Sequence, residues 1–461
     1  GECLDEWHAG HGAFSGIALD EVKLAPMSND AAMSQQASGT SWQPESSPLS
    51  AWRARPGAWQ VMLHGNLFLG FNHQAYPRGV GKAESQNWLM LMGERPAGRG
   101  RLQMRGMFSA EALTAPHGGF PQLFQTGETY RGRPIIDAQH PHDAVMELAA
   151  RYTLPLGEST ALEFYGGPVG EPALGPVAFM HRASASENPA APLAHHTQDS
   201  THITHGVATV ALQISRFKFE ASGFRGREPD ADRLRVELGK FDSFSTRVWF
   251  APTSNWAMQF SYGRLQNPEN AHPGKLTRYS ASVAYNRAFT NGNWASAVIW
   301  GRNHEYDPTF DEFYKSNAYL FESTLKLRAR NHFYTRLELL DKQGLLTLNI
   351  FERCGLAVDP SLPGRPCSPN NLATEQTRAT RRAVPLHPDP FGFDLALFSL
   401  WRRVAAFTFG GVRDLYEGNG FRFGIGADAT VYYKPLLVSA LYGQQPVSYR
   451  LFLRLRPQRR E

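Results

Sequence analysis

From Gly57 onward the chain runs in segments of ten to sixteen residues whose apolar and polar side chains alternate. Residues 255–263 are the plainest case. There Trp256, Met258, Phe260 and Tyr262 share one parity, and Ala257, Gln259, Ser261 and Gly263 the other. Residues 280–286, 421–431 and 449–456 repeat the pattern. A period of two belongs to β-strands, because successive side chains point to opposite faces. Sixteen strands follow, near 57–74, 84–97, 100–113, 142–155, 159–169, 204–215, 217–227, 242–253, 255–267, 276–289, 293–304, 316–330, 332–345, 399–414, 421–434 and 436–455. No run of eighteen apolar residues exists, so a transmembrane helix is excluded.

Alternation alone fits a soluble sandwich as well as a membrane barrel. Lys218, Glu220, Glu322, Lys326, Arg336, Glu338 and the C-terminal arginines share the polar parity in either case. The connections separate the two. Short turns (R-P-A-G-R-G, L-G-E-S, I-S-R, P-T-S-N, T-N-G-N, A-R-N-H) alternate with mostly longer links at 75–83, 114–141, 170–203, 228–241, 268–275, 305–315 and 346–398. Long loops on one side and short turns on the other are the mark of an outer-membrane barrel. The expectation is therefore an all-β, transmembrane antiparallel β-barrel of about sixteen strands in a bacterial outer membrane. Its long loops face outward and both termini face the periplasm. Fourteen or eighteen strands remain open, since 346–398 has room for a hairpin. Trp59, Trp88, Trp256, Trp294, Tyr319, Phe333 and Tyr433 fall near strand ends, where interfacial girdles belong. One departure is that the chain runs past Phe452 to R-L-R-P-Q-R-R-E instead of finishing on an aromatic residue.

Residues 1–56 are small, polar and without period, and are expected to form a periplasmic arm or a plug, with the barrel spanning 57–457. The start Gly-Glu-Cys, without Met, reads as a mature form whose export signal has been removed. Cys354 and Cys367 bracket a Pro/Gly-rich loop and are either a disulfide or two free thiols; Cys3 has no evident partner. The net charge of +5 is spread without a basic run of five, which argues against nucleic acid as a partner and leaves membrane lipid.

Seven of the sixteen histidines lie between Asp137 and Gly206, in D-A-Q-H-P-H-D, F-M-H-R and H-H-T-Q-D-S-T-H-I-T-H. Imidazole grouped with carboxylate suits a first-row transition metal. Both stretches fall in long loops on one side of the barrel, one hairpin apart. The candidate metal residues are His140, His142, Asp143, His181, His195, His196, Asp199 and His202, and the candidate ion is Cu or Zn. The competing reading is that these histidines only hydrogen-bond or line a wet pore. His140 and His142 share a face if the chain is extended there, as Pro141 favours. His202 and His205 would point apart unless the backbone turns. Met27, Met33, Met62, Met90, Met92, Met104, Met107 and Met180, with His8, His11, His64 and His73, raise a copper path, since thioether suits Cu(I). The bland alternative is that these methionines face lipid or fill a core.

Asp199, Ser200 and His202 carry the residue types of a hydrolase triad, but adjacency in sequence does not make one, and no G-x-S-x-G, H-E-x-x-H, phosphate loop or dinucleotide fingerprint is present. An enzyme is not expected. The runs L-F-Q-T-G-E, D-A-Q-H-P-H-D, G-E-P-A-L-G-P-V-A-F-M-H-R-A-S-A, H-H-T-Q-D-S-T-H-I and G-R-E-P-D resemble a family of uncharacterised bacterial outer-membrane barrels associated with metal resistance. That resemblance covers most of 57–455 and implies the compartment and a leaning towards metals, with no residue roles to carry over. The functional expectation is a channel or binding barrel for a small polar solute, a transition-metal ion foremost. The alternative is a structural barrel that scaffolds a periplasmic or surface protein partner, with residues 1–56 as its docking arm.

Overall fold

A computed structural model of the chain describes residues 35–131, 133–269, 274–307, 312–345 and 402–458. Sixteen strands close into one antiparallel barrel. They are β1 Gln60–His73, β2 Gly81–Ala97, β3 Gly100–Phe108, β4 Val145–Pro155, β5 Thr160–Val169, β6 Val207–Ile214, β7 Phe217–Phe224 and β8 Ser243–Phe250. The second half is β9 Trp256–Gln266, β10 Lys275–Phe289, β11 Gly292–Asp307, β12 Glu312–Leu327, β13 Asn331–Lys342, β14 Arg402–Gly418, β15 Phe421–Tyr433 and β16 Val447–Pro457. Each strand pairs with its sequence neighbours. β16 closes on β1 through Leu67↔Leu455 to His73↔Tyr449, and a short strand, Trp52–Ala54, continues that edge by pairing with Val61–Leu63. The turns of the short-linked end are tight. The Asn419–Gly420 loop has both residues at positive φ, 52° and 83°, which matches the twist of the strands it joins.

The two faces confirm which solvent each side meets. Leu69, Leu91, Phe164, Phe219, Phe260, Val298, Phe409, Ile425 and Leu451 are exposed on the outside, while the opposite parity is polar and buried. A closed barrel with an apolar outer wall satisfies every backbone group internally, and the chain spans the bacterial outer membrane in this way.

Three strand-level expectations are corrected. The third strand ends at Phe108, not 113, because Asn87 and Ser109 side chains bond the backbone there and start a helical turn at Glu111–Thr114. The last strand begins at Val447, not 436, since Leu436–Tyr442 coils into helical turns that bury Val438 and Tyr442. Trp88 is not a girdle residue. It faces inward, its ring 4.6 Å from that of His181. Cys3, Cys354, Cys367, Met27, Met33, His8, His11 and the 346–398 link lie outside the described residues.

The lumen is filled. Residues 35–51 enter it, as do much of the β3–β4 link and residues 170–206 between β5 and β6, the last buried almost throughout. Wall charges hold them. Arg105 and Arg151 donate to Gly39 O, and Lys218 to Thr40 O. Arg247 reaches Thr40 Oγ1, Ser41 Oγ and Gly175 O, each at 3.0 Å, so one guanidinium ties both inserted segments to β8. Glu220 anchors Arg247 in turn at 2.7 Å. Arg336 donates to Ala190 O at 2.8 Å, and Glu338 accepts from the Ala194 N–H at 3.1 Å. Lys218, Glu220, Arg336 and Glu338, which a selectivity role would set along an open path, are spent on this packing. Small wall residues make room for it. A Cβ on Gly301 would stand 2.2 Å from Thr197 O.

Candidate functional site

The inserted links leave a cavity of about 60 Å³ between themselves and the wall at Asn66, Phe68, Gln86 and Trp88. That is room for a few waters or one ion. His140, His142, Asp143, His195 and His202 all line it, with Glu111, Glu228 and Met180. These five of the eight expected residues are brought together because the D-A-Q-H-P-H-D run re-enters the wall beside the 170–206 insertion.

Three of the imidazoles are oriented alike. His142 Nδ1 donates to Glu111 Oε2 at 2.8 Å, His195 Nδ1 to Asp199 Oδ1 at 2.7 Å, and His202 Nδ1 to the Asp199 carbonyl at 2.8 Å. Each partner is an acceptor, so a proton sits on each Nδ1. This is the arrangement that fixes metal-ligating histidines. His202 Nε2 is buried without a hydrogen-bond partner. Its ring centroid lies 5.0 Å from that of His195 and 5.5 Å from that of His142. Two imidazoles on one tetrahedral ion, with metal–nitrogen bonds of about 2.0–2.1 Å, would place their centroids about 5 Å apart. His202 therefore shares a ligand-like spacing with each of the other two. Among the described residues, no group of three or more His, Cys, Asp or Glu side chains is already placed to hold a metal ion.

Burial sets the charge states. It pulls His202 down to about 3, helped by the neighbouring His195 and His142, and so keeps the ring neutral. Burial likewise takes His140 down to about 4, with Arg233 adding to it. Asp143 is pushed up to about 6 by burial, against the pull of Arg233. Burial alone would raise Asp199 too, but His195 and Arg182 outweigh it and hold that carboxylate below its usual range.

The remaining expected residues do other work. His140 lies at the cavity but spends both nitrogens on oxygen atoms, Pro141 O at 2.9 Å and Glu228 Oε1 at 2.8 Å. Asp199 orients His195 and pairs with Arg182 at 3.0 Å. His196, one residue along the helical turn His195–Gln198, points the other way to Glu269 at 2.8 Å and lines a different cavity. His181 sits beside His64, Trp88 and Met107 in a neighbouring cavity. His205 accepts the Glu237 N–H at 3.0 Å, and the turn Ser200–His202 separates it from His202. Asp199, Ser200 and His202 form no relay. The Ser200 hydroxyl accepts from Arg278 at 2.8 Å, and His202 meets only the main chain of Asp199. Glu111 and Glu228 line the site but were not expected there as ligands. Glu111 was hidden inside the over-extended third strand, and only its partner in space, His140, identifies Glu228.

No protein-family model matches the chain, and no curated protein matches it. Solved structures similar to it include an anion-selective porin from Comamonas acidovorans, at TM-score 0.46 and 9% identity over 86% of this chain and 99% of that one. Salmonella typhi OmpF in complex with daunomycin gives TM-score 0.46 and 8% identity over 87% and 99%. Acinetobacter baumannii OccAB2 gives 0.40 and 11% over 87% and 99%. The barrel assignment rests on strand pairing and on the two faces of the wall, not on these overlaps.

Proposed function

We propose that the barrel binds a small polar solute and passes it across the outer membrane, and that the solute is a first-row transition-metal ion. The observation that carries this reading is the buried Nε2 of His202, which has no hydrogen-bond partner, with the rings of His195 and His142 at 5.0 and 5.5 Å and each Nδ1 bonded to an acceptor. Imidazole, a ligand of borderline softness, suits Zn(II) or Cu(II). An ion entering between the long loops would exchange water for Nε2 of His202 and one neighbour. Pairwise capture without a closed cage suits passage, because the ion must also leave.

Calorimetric titration of the purified protein with Zn(II) and Cu(II) tests this. His202→Ala should weaken binding by about tenfold or more while the heat-modifiable gel mobility of the folded barrel is kept. A wild-type protein that binds neither ion, or a His202→Ala variant that binds like wild type, overturns the reading. The filled lumen favours a second reading, a structural barrel that scaffolds a partner. Absence of both metal binding and ion current in planar bilayers would leave that one standing.

A further inference from the structure

Below the histidine cavity lies a second one, which shares Asn66, Trp88, Met180 and Ser186 with it and reaches Lys326, Arg422 and Arg456 near the short-turn end. The junction of the two is unlike the rest of the lumen. Met62, Met90, Met92, Met107, Met146 and Met180 are all buried there in one cluster, although inward positions elsewhere in the wall are mostly polar. Strand register builds it, since Met62 pairs with Met92, His64 with Met90, and Met90 with Met107. Met104, of opposite parity, faces outward.

Thioethers can fill a core and do nothing more. Three observations argue for more here. His181 Nε2 stands 3.4 Å from Met107 Sδ. Nitrogen and sulfur ligands sharing one ion, with bonds of about 2.0 and 2.3 Å, lie roughly 3.5 Å apart. His64 Nε2 is buried at the same place with no hydrogen-bond partner, and its ring is 5.5 Å from that of His181. Trp88 packs on both rings, at 5.3 Å from His64 and 4.6 Å from His181, and offers a π face that favours a cation.

We propose that this junction is a binding site for a soft monovalent ion, Cu(I) or Ag(I), with His64, His181, Met107 and Met180 as ligands and Trp88 as its wall. Thioether and imidazole together select a soft ion over Zn(II). The site is separate from His142, His195 and His202; only its place as an inner station rests on the proposed passage.

The test uses the full-length protein in detergent under reducing conditions, with Cu(I) supplied against a competing chelator of known affinity and with Ag(I) as a redox-stable probe. X-ray absorption at the copper edge should show sulfur in the coordination shell. Met107→Leu, which conserves volume, should weaken Cu(I) and Ag(I) binding by about tenfold or more and leave Zn(II) binding unchanged. His202→Ala should do the reverse. A copper shell of nitrogen and oxygen alone in the wild-type protein, or wild-type Cu(I) affinity in Met107→Leu, overturns the proposal. Cu(I) binding with sulfur ligation but no Zn(II) or Cu(II) binding would sustain this site and defeat the passage reading.

Discussion

Arg182 offers the sharpest test of how the lumen is held. Its guanidinium lies inside the barrel and meets Glu322 Oε1 at 2.6 Å, Asp199 Oδ2 at 3.0 Å and Val177 O at 2.7 Å. One end of this network is the wall and the other is the inserted segment that carries His195. Replacing Arg182 by Leu keeps a buried apolar stem but takes the shared cation from two buried carboxylates, leaving Glu322 with Arg336 at 3.5 Å and Asp199 with His195 at 2.7 Å. Removing one partner of a buried pair costs about 3–5 kcal/mol. The strands keep their own ladders, so the loss should appear locally, as easier opening of residues 170–206. At about 1.4 kcal/mol per factor of ten, amide hydrogen exchange in that segment should speed up by roughly 100- to 1000-fold or more, with β10–β13 little changed. Adding Glu322→Leu removes one stranded charge and should restore part of the protection. Exchange in 170–206 within tenfold of wild type in Arg182→Leu would refute the idea that this pair holds the insertion.

Three further outcomes follow from other contacts. Burial pushes Glu171 up to about 8, although Arg247, Ser38 and Ser41 pull it down, so the folded protein holds this proton more tightly than the unfolded chain does. Its contribution to seating residues 35–51 is full below about pH 4.5 and is lost as pH rises towards 8; protease sensitivity of 35–51 should rise over that window, and Glu171→Gln should flatten the profile. Gly301→Ala places a methyl group 2.2 Å from Thr197 O, main chain that cannot swing aside; the His195–Gln198 turn should shift and Zn(II) affinity fall about tenfold, whereas unchanged affinity would show that the turn is not pinned to β11. Deleting residues 35–51 should raise single-channel conductance over the intact protein, and equal conductance would show that this segment does not occlude.

The wall was legible because lipid outside and polar packing inside write a period of two into each strand. That is why residues 255–263 and 449–456 announce themselves. The failures occur where another force governs. The run L-L-V-S-A-L-Y (436–442) looks like strand by its apolar content, yet its residues four apart, Val438 and Tyr442, are what the interior takes. The filling carries no period at all, because residues 35–51 and 170–206 are held by short turns of their own and by side chains of the wall. The polar parity of Lys218, Glu220, Arg336 and Glu338 was visible; that these charges face inserted backbone was not. For the histidines, sequence density brought five residues to one cavity, but a helical turn sends His195 and His196 apart, and no spacing rule reveals that His181 has crossed to a methionine cluster.

The seam between first and last strands is short. β1 and β16 share seven paired positions, against fifteen between β10 and β11. A tube whose interior is packed this closely around its inserted segments is hard to load after it has closed. Residues 35–51 and 170–206 must therefore settle on their own strands while the sheet is still an open, curling ribbon, with Trp52–Ala54 already laid along β1. Zipping of that brief seam is then the last act of biogenesis. A variant that delays the insertions should accumulate as an unclosed sheet at the assembly machinery rather than as an empty pore in the membrane.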